Sequence, residues 1–91
     1  MINKKRERLD VIKDILDAVR ESRIIKPTRL LYASNLSPQM FKDYVDELLK
    51  KGFLNLKVDD DGKKSISLAK KGNDFLQEYK TIQNFIDNFG L

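Results

Sequence analysis

The stretch PTRLLYASNLSPQMFKDYVDELLKKG, residues 27–52, contains two helix starts and one helix stop. Pro27 suits a first helical position, where its missing N–H has no partner to lose. From there a short helix is expected to about Ser34, with Leu30 and Leu31 facing inward. Asn35-Leu36-Ser37-Pro38 then reads as a turn followed by a second start, Ser37 as N-cap and Pro38 as first residue. The second helix is expected to reach about Lys51. Phe41, Tyr44, Val45, Leu48 and Leu49 form its apolar face, and Gly52 stands where a helix ends. Two helices joined by about three residues make a helix-turn-helix.

Upstream, Leu9, Ile12, Leu16 and Val19 recur at spacings of three and four, with Ile15 widening the stripe. This predicts a helix over Arg6–Ser22. Ile24-Ile25 reads either as a very short strand or as a linker pinned to the core. Downstream, residues 53–58 read as a strand, Asp61-Gly62 as a reversal and residues 65–69 as the returning strand. Lys70-Lys71-Gly72-Asn73 leads into a last helix reaching Asn88. The order is helix, helix, helix, hairpin, helix. The fold class is therefore mostly α with a small β-hairpin, a winged helix-turn-helix whose wing is the hairpin. Met40 and Tyr44 are expected in the core, as is Tyr32 with its hydroxyl at the surface.

In the last helix Phe75, Tyr79, Ile82, Ile86 and Phe89 are spaced four, three, four and three, the seam of a coiled coil, and Leu76 and Phe85 broaden it. The chain's own core is one possible cover. A second copy is the better one, because three helices and a hairpin already fill so small a core. A homodimer joined through these seven residues is expected, with the first helix contributing. The chain divides into a flexible basic arm (1–5), a winged-helix domain (6–72) and a dimerisation helix (73–91).

Composition narrows function. The 91 residues include neither cysteine nor histidine. Disulfides and thiolate sites are excluded, together with the commonest metal ligand and general base. No phosphate-cradling glycine loop or paired carboxylates stand out, so an enzyme is not expected, nor a metal, nor any small-molecule cofactor. Asp59-Asp60-Asp61-Gly62 is no calcium loop. With Gly62 at its sixth position, Lys57 and Leu68 would fall at the first and twelfth, where ligands are required. The basic N-terminus is followed by no apolar signal segment and no membrane-length apolar run. A cytoplasmic, nucleoid-associated protein is expected. The net charge is +4. Residues 1–29 carry nine Lys/Arg against five acids, residues 30–62 four against six, and residues 63–91 five against three.

The string Thr28-Arg29-Leu30-Leu31-Tyr32-Ala33-Ser34-Asn35-Leu36-Ser37, the helix and hairpin after it, and Leu68-Ala69-Lys70-Lys71-Gly72 carry a resemblance over about residues 6–91. The chain resembles the archaeal winged-helix, coiled-coil DNA-binding proteins, including the small dimeric chromatin proteins of Sulfolobus. The resemblance implies double-stranded DNA as ligand and a dimer joined by an antiparallel coiled coil of the C-terminal helices. That coiled coil would be shorter here than in the family.

Phosphates dominate affinity for DNA, so lysines and arginines on one face are the candidates. Ser37, Gln39 and Lys42 lie on the N-terminal half of the second helix of the unit, which would enter the major groove. Lys63 and Lys64 sit at the wing, Lys26 and Arg29 at the start of the preceding helix, and Lys4, Lys5 and Arg6 in the arm. Asp43 and Asp46 oppose phosphate and shift the weight toward arm, wing and preceding helix. Either a transcriptional regulator or a chromatin protein satisfies this pattern. The alternative is a winged-helix protein–protein interaction module without DNA binding, for which Asp43, Asp46 and Glu47 speak.

Overall fold

The computed structural model describes residues 4–90, with side chains from Arg8 onward. Met1–Asn3 and Leu91 lie outside the described residues. Seven elements follow in the order α1 (Lys4–Ser22), β1 (Ile24–Ile25), α2 (Pro27–Ser34), α3 (Pro38–Lys50), β2 (Leu54–Val58), β3 (Lys64–Leu68) and α4 (Lys70–Asn88). The fold is the expected one, mostly helical with the wing after α3.

The sheet differs from the expected two-stranded hairpin. It has three antiparallel strands in the order β1-β3-β2. Ile24 pairs with Ser67 and Ile25 with Ile66, so the adjacent isoleucines are a strand and no mere linker. On the other side Leu56 faces Ile66 and Val58 faces Lys64. Side chains alternate along a strand, so Ile25 and Ile66 turn inward together and Ile24 outward.

The core is a single cluster to which every element contributes: Ile12, Ile15, Leu16 and Val19 of α1, Ile25, Leu30 of α2, Phe41, Val45 and Leu48 of α3, Leu54, Ile66, and Leu76 of α4. Burying each such side chain stabilises by roughly 1.5–3 kcal/mol. The periodic residues of α1 and α3 are therefore what hold the unit together.

Four expectations need correction. First, α1 begins at Lys4, so the backbone of Lys4 and Lys5 belongs to the helix and not to an arm. Second, Gly72 lies within α4 rather than before it. A Cβ there would meet the Phe53 carbonyl oxygen at 2.3 Å and Leu68 Cδ1 at 2.7 Å. Glycine thus allows the first turn of α4 to rest directly on the chain entering β2. Third, Tyr32 and Met40 are not core residues: they are 79% and 48% exposed. On α2 and α3 the inward positions go to Leu30 and to Phe41, which leaves their neighbours Tyr32 and Met40 outside.

The fourth concerns the apolar stripe of α4, which splits in two. Leu76 is a core residue. Phe75 packs edge-on against Phe53 with centroids 6.0 Å apart, and the Tyr79 hydroxyl donates to Asp10 of α1. These three are used within the chain. Ile82, Phe85 and Phe89 remain 59%, 60% and 67% exposed, and Ile86 is half-buried. Among the described residues no helix is long and apolar enough to cross a membrane.

Candidate nucleic-acid interface

Local chemistry explains how α2 and α3 are set. α2 ends at Asn35, whose left-handed backbone (φ 57°) turns the chain, its N–H donating to the Tyr32 carbonyl at 3.3 Å. Asparagine tolerates that conformation better than most residues. Ser37 Oγ then accepts from the Met40 N–H at 3.3 Å, capping α3 as its sequence position predicts. This hydroxyl is occupied as an acceptor, so Ser37 retains only its O–H for a ligand.

Three pairings run along α3. Gln39 Nε2 donates to Asp43 Oδ1 at 3.0 Å, and Lys42 Nζ meets Asp46 Oδ2 at 2.6 Å. Asp46 accordingly raises the pKa of Lys42, first through the hydrogen bond and then through its charge. Glu47 accepts from Arg8 of α1 and from Lys51 at 2.7 Å. These two donors, Arg8 first, hold its carboxyl down at about 2. The Arg8 guanidinium also lies over the Tyr44 ring, 5.6 Å from its centroid. Arg8 thereby ties α1 to α3. Lys4, Lys5 and Arg6 occupy the turn of α1 preceding it.

The wing is organised differently. Asp59 Oδ1 accepts from the N–H groups of Asp61 and Lys63, both at 2.9 Å, so this carboxylate is turned back into the loop. Gly62 takes the positive φ (80°) that the reversal requires. The wing tip closes on the start of α2, and Lys26, Pro27, Thr28, Gly62, Lys63 and Lys64 line a groove of about 400 Å³. A second groove of about 450 Å³ adjoins it, lined by Ser22, Ile24, Ile25, Lys26 and Arg29. The fold therefore gathers Lys26, Arg29, Lys63 and Lys64, far apart in sequence, along one edge. None of the four has an ion-pair partner among the described residues. Ser37, Gln39 and Lys42 form a separate set on α3.

The sequence marks Lys71 only as part of the segment 68–72. Its Nζ donates to the Lys51 carbonyl at 3.0 Å, satisfying the C-terminal end of α3, and it stands 4.8 Å from the Phe53 ring centroid. With Gly72 beside it, the Lys-Lys-Gly segment fixes α4 against α3 and β2. The signal was present in that segment, but its physical meaning is a close approach of elements. Among the described residues no group of acids could hold a metal ion.

Comparison with known proteins agrees with this geometry. A family described as winged helix-turn-helix matches residues 5–87. An uncharacterized protein of Methanocaldococcus jannaschii is 42% identical over 50 residues, which is 55% of this chain and 50% of that protein. The chain thus aligns with half the length of that relative. Among solved structures, Sso10a-2, a DNA-binding protein from Sulfolobus solfataricus, superposes with a TM-score of 0.72 at 23% identity, covering 89% of this chain and 82% of that one. A mutant of S. aureus MepR bound to an oligodeoxyribonucleotide gives 0.76 at 16% identity, covering 94% and 67%. At these identities the structural likeness establishes the fold.

Proposed function

The chain belongs to the winged helix-turn-helix family, and from that premise we propose that it is a homodimeric double-stranded DNA-binding protein, a transcriptional regulator or a chromatin protein working in the cytoplasm on the nucleoid. The observation that carries the reading is the edge formed by Lys26, Arg29, Lys63 and Lys64, four cations beside the wing without ion-pair partners among the described residues. Such an edge suits the regularly spaced phosphates of a duplex. The solved neighbours named as DNA-binding or holding an oligodeoxyribonucleotide support the same ligand. α3 would lie in the major groove and the wing against the backbone.

The exposed end of α4 supports the dimer. Completing the burial of Ile82, Phe85 and Phe89 on two protomers would contribute on the order of 5–10 kcal/mol. Association itself costs about 4–15 kcal/mol. These three residues therefore need help, and Leu9 of α1, itself 44% exposed, is a further apolar group to recruit. The antiparallel arrangement implied by the family resemblance brings two such stripes together.

A protein–protein interaction module is the second reading, favoured by the exposed Tyr32 and Met40 on the helix-turn-helix. Gel-shift with random duplex DNA at low and raised salt separates the two. DNA binding predicts a shift at low salt that weakens steeply as salt rises, whereas no shift at low salt refutes it. The variant Ile82→Asp/Phe85→Asp, altered only at exposed positions, is expected to be monomeric by light scattering and to bind DNA more weakly. An unchanged dimer contradicts the α4 seam.

A further inference from the structure

We propose that Asp43, held by Gln39, makes α3 a reader of amino against keto bases, accepting adenine or cytosine at its contact position on one strand and rejecting thymine or guanine there. The inference rests on the DNA-binding reading above. Its starting point is the 3.0 Å hydrogen bond from Gln39 Nε2 to Asp43 Oδ1. An ionised carboxylate has no proton to donate. One of the two amide N–H groups of Gln39 must therefore face Asp43, which holds that carboxylate in place, while the other N–H and the carbonyl Oε1 of Gln39 stay open. The second oxygen of Asp43 is an acceptor and nothing else. A positioned acceptor thus stands on the exposed N-terminal half of α3, the half that would enter the groove. Lys42, the nearby cation, is engaged by Asp46 at 2.6 Å and does not offset it.

In the major groove each base pair presents one exocyclic amino donor, N6 of adenine or N4 of cytosine, opposite a keto oxygen on thymine or guanine. An acceptor is drawn to the amino group and repelled by the keto oxygen. It has no means of telling adenine from cytosine. The result is a two-letter code, unlike the selection of guanine alone by a bidentate arginine. The carboxylate's repulsion of the backbone is offset by the wing and α2 cations.

The test incubates the full chain with a randomised duplex library and sequences the bound fraction. One position is expected to tolerate exchange of A·T for C·G and to reject T·A and G·C by roughly five-fold or more. Asp43→Ala is expected to lose the preference at that position. Asp43 is exposed and alanine favours helix, so the variant keeps its fold, as circular dichroism will show. Replacing adenine by purine at the preferred position removes the N6 amino group. That change should weaken wild type by the same factor and leave Asp43→Ala unaffected. Binding without base preference, a position restricted to one base pair, or a preference that survives in Asp43→Ala overturns the inference. Absence of binding to any duplex at low salt overturns the DNA-binding reading itself, and this inference with it.

Discussion

The outward face of α3 and the wing–α2 edge both carry basic residues, yet they differ in what those residues are free to do. On α3, Lys42 is held by Asp46, and Glu47 binds both Lys51 and Arg8. At the wing Asp59 is turned into its own loop, Asp60 and Asp61 are exposed, and Lys26, Lys63 and Lys64 converge on a groove without ion-pair partners among the described residues. A paired surface lysine gives up one interaction to gain another, so its net contribution to phosphate binding is small. A free lysine releases a counterion for every phosphate it meets. Charge counted along the sequence does not separate these cases; hydrogen-bond geometry does. On the proposed DNA-binding reading, α3 would present shape and an acceptor while the edge would supply attraction.

The largest expected effect comes from stripping that edge. Lys26→Ala/Lys63→Ala/Lys64→Ala should lower affinity for random duplex by about 100-fold at moderate salt, measured by fluorescence anisotropy. A loss under three-fold would place the attraction elsewhere. Next is Gly72→Ala, which does not touch either charged surface but disturbs the frame between them. The added Cβ meets a backbone carbonyl and the half-buried Leu68, which packs against the core. Such overpacking is expected to cost about 2 kcal/mol in urea denaturation, and an unchanged midpoint would mean that α4 can shift at no cost.

The smallest effect tests the α3 network through pH. The Glu47 carboxyl, with an ordinary value of 4.5, is held at about 2 by Arg8 and Lys51. Because the folded value is depressed, the stabilisation it brings is present above about 4.5 and fades as pH falls toward 2. Glu47→Gln should therefore flatten that part of the acid-stability curve and change little at neutral pH. A wild-type curve and a variant curve that run parallel from pH 5 to 2 would show the network to be inert.

The elements best read from the sequence were those with local punctuation. Pro27, Asn35, Ser37-Pro38 and Gly52 act on their own backbone, and α2 and α3 fall where these residues place them. Two residues carry no periodicity, so only the pairing with β3 makes β1 a strand. Helical spacing gives a face and not its depth, which depends on how α2 and α3 cross, and this is why Tyr32 and Met40 lie outside the core. For the same reason the α4 stripe read as one seam, although α1 already covers part of it through Asp10 and Tyr79. The individual site residues were legible as lysines and arginines. Their gathering into one edge, and the neutralisation of Lys42, depend on contacts between residues distant in sequence or on opposite charges one turn apart, which composition does not rank.

The most direct test of the account compares the salt dependence of DNA binding for two single variants, Lys63→Ala and Lys42→Ala. The slope of log affinity against log salt should become shallower by about 1 for Lys63→Ala and stay unchanged for Lys42→Ala. The opposite pattern, with Lys42→Ala reducing the slope and Lys63→Ala leaving it as in wild type, would contradict the assignment of phosphate binding to the wing–α2 edge.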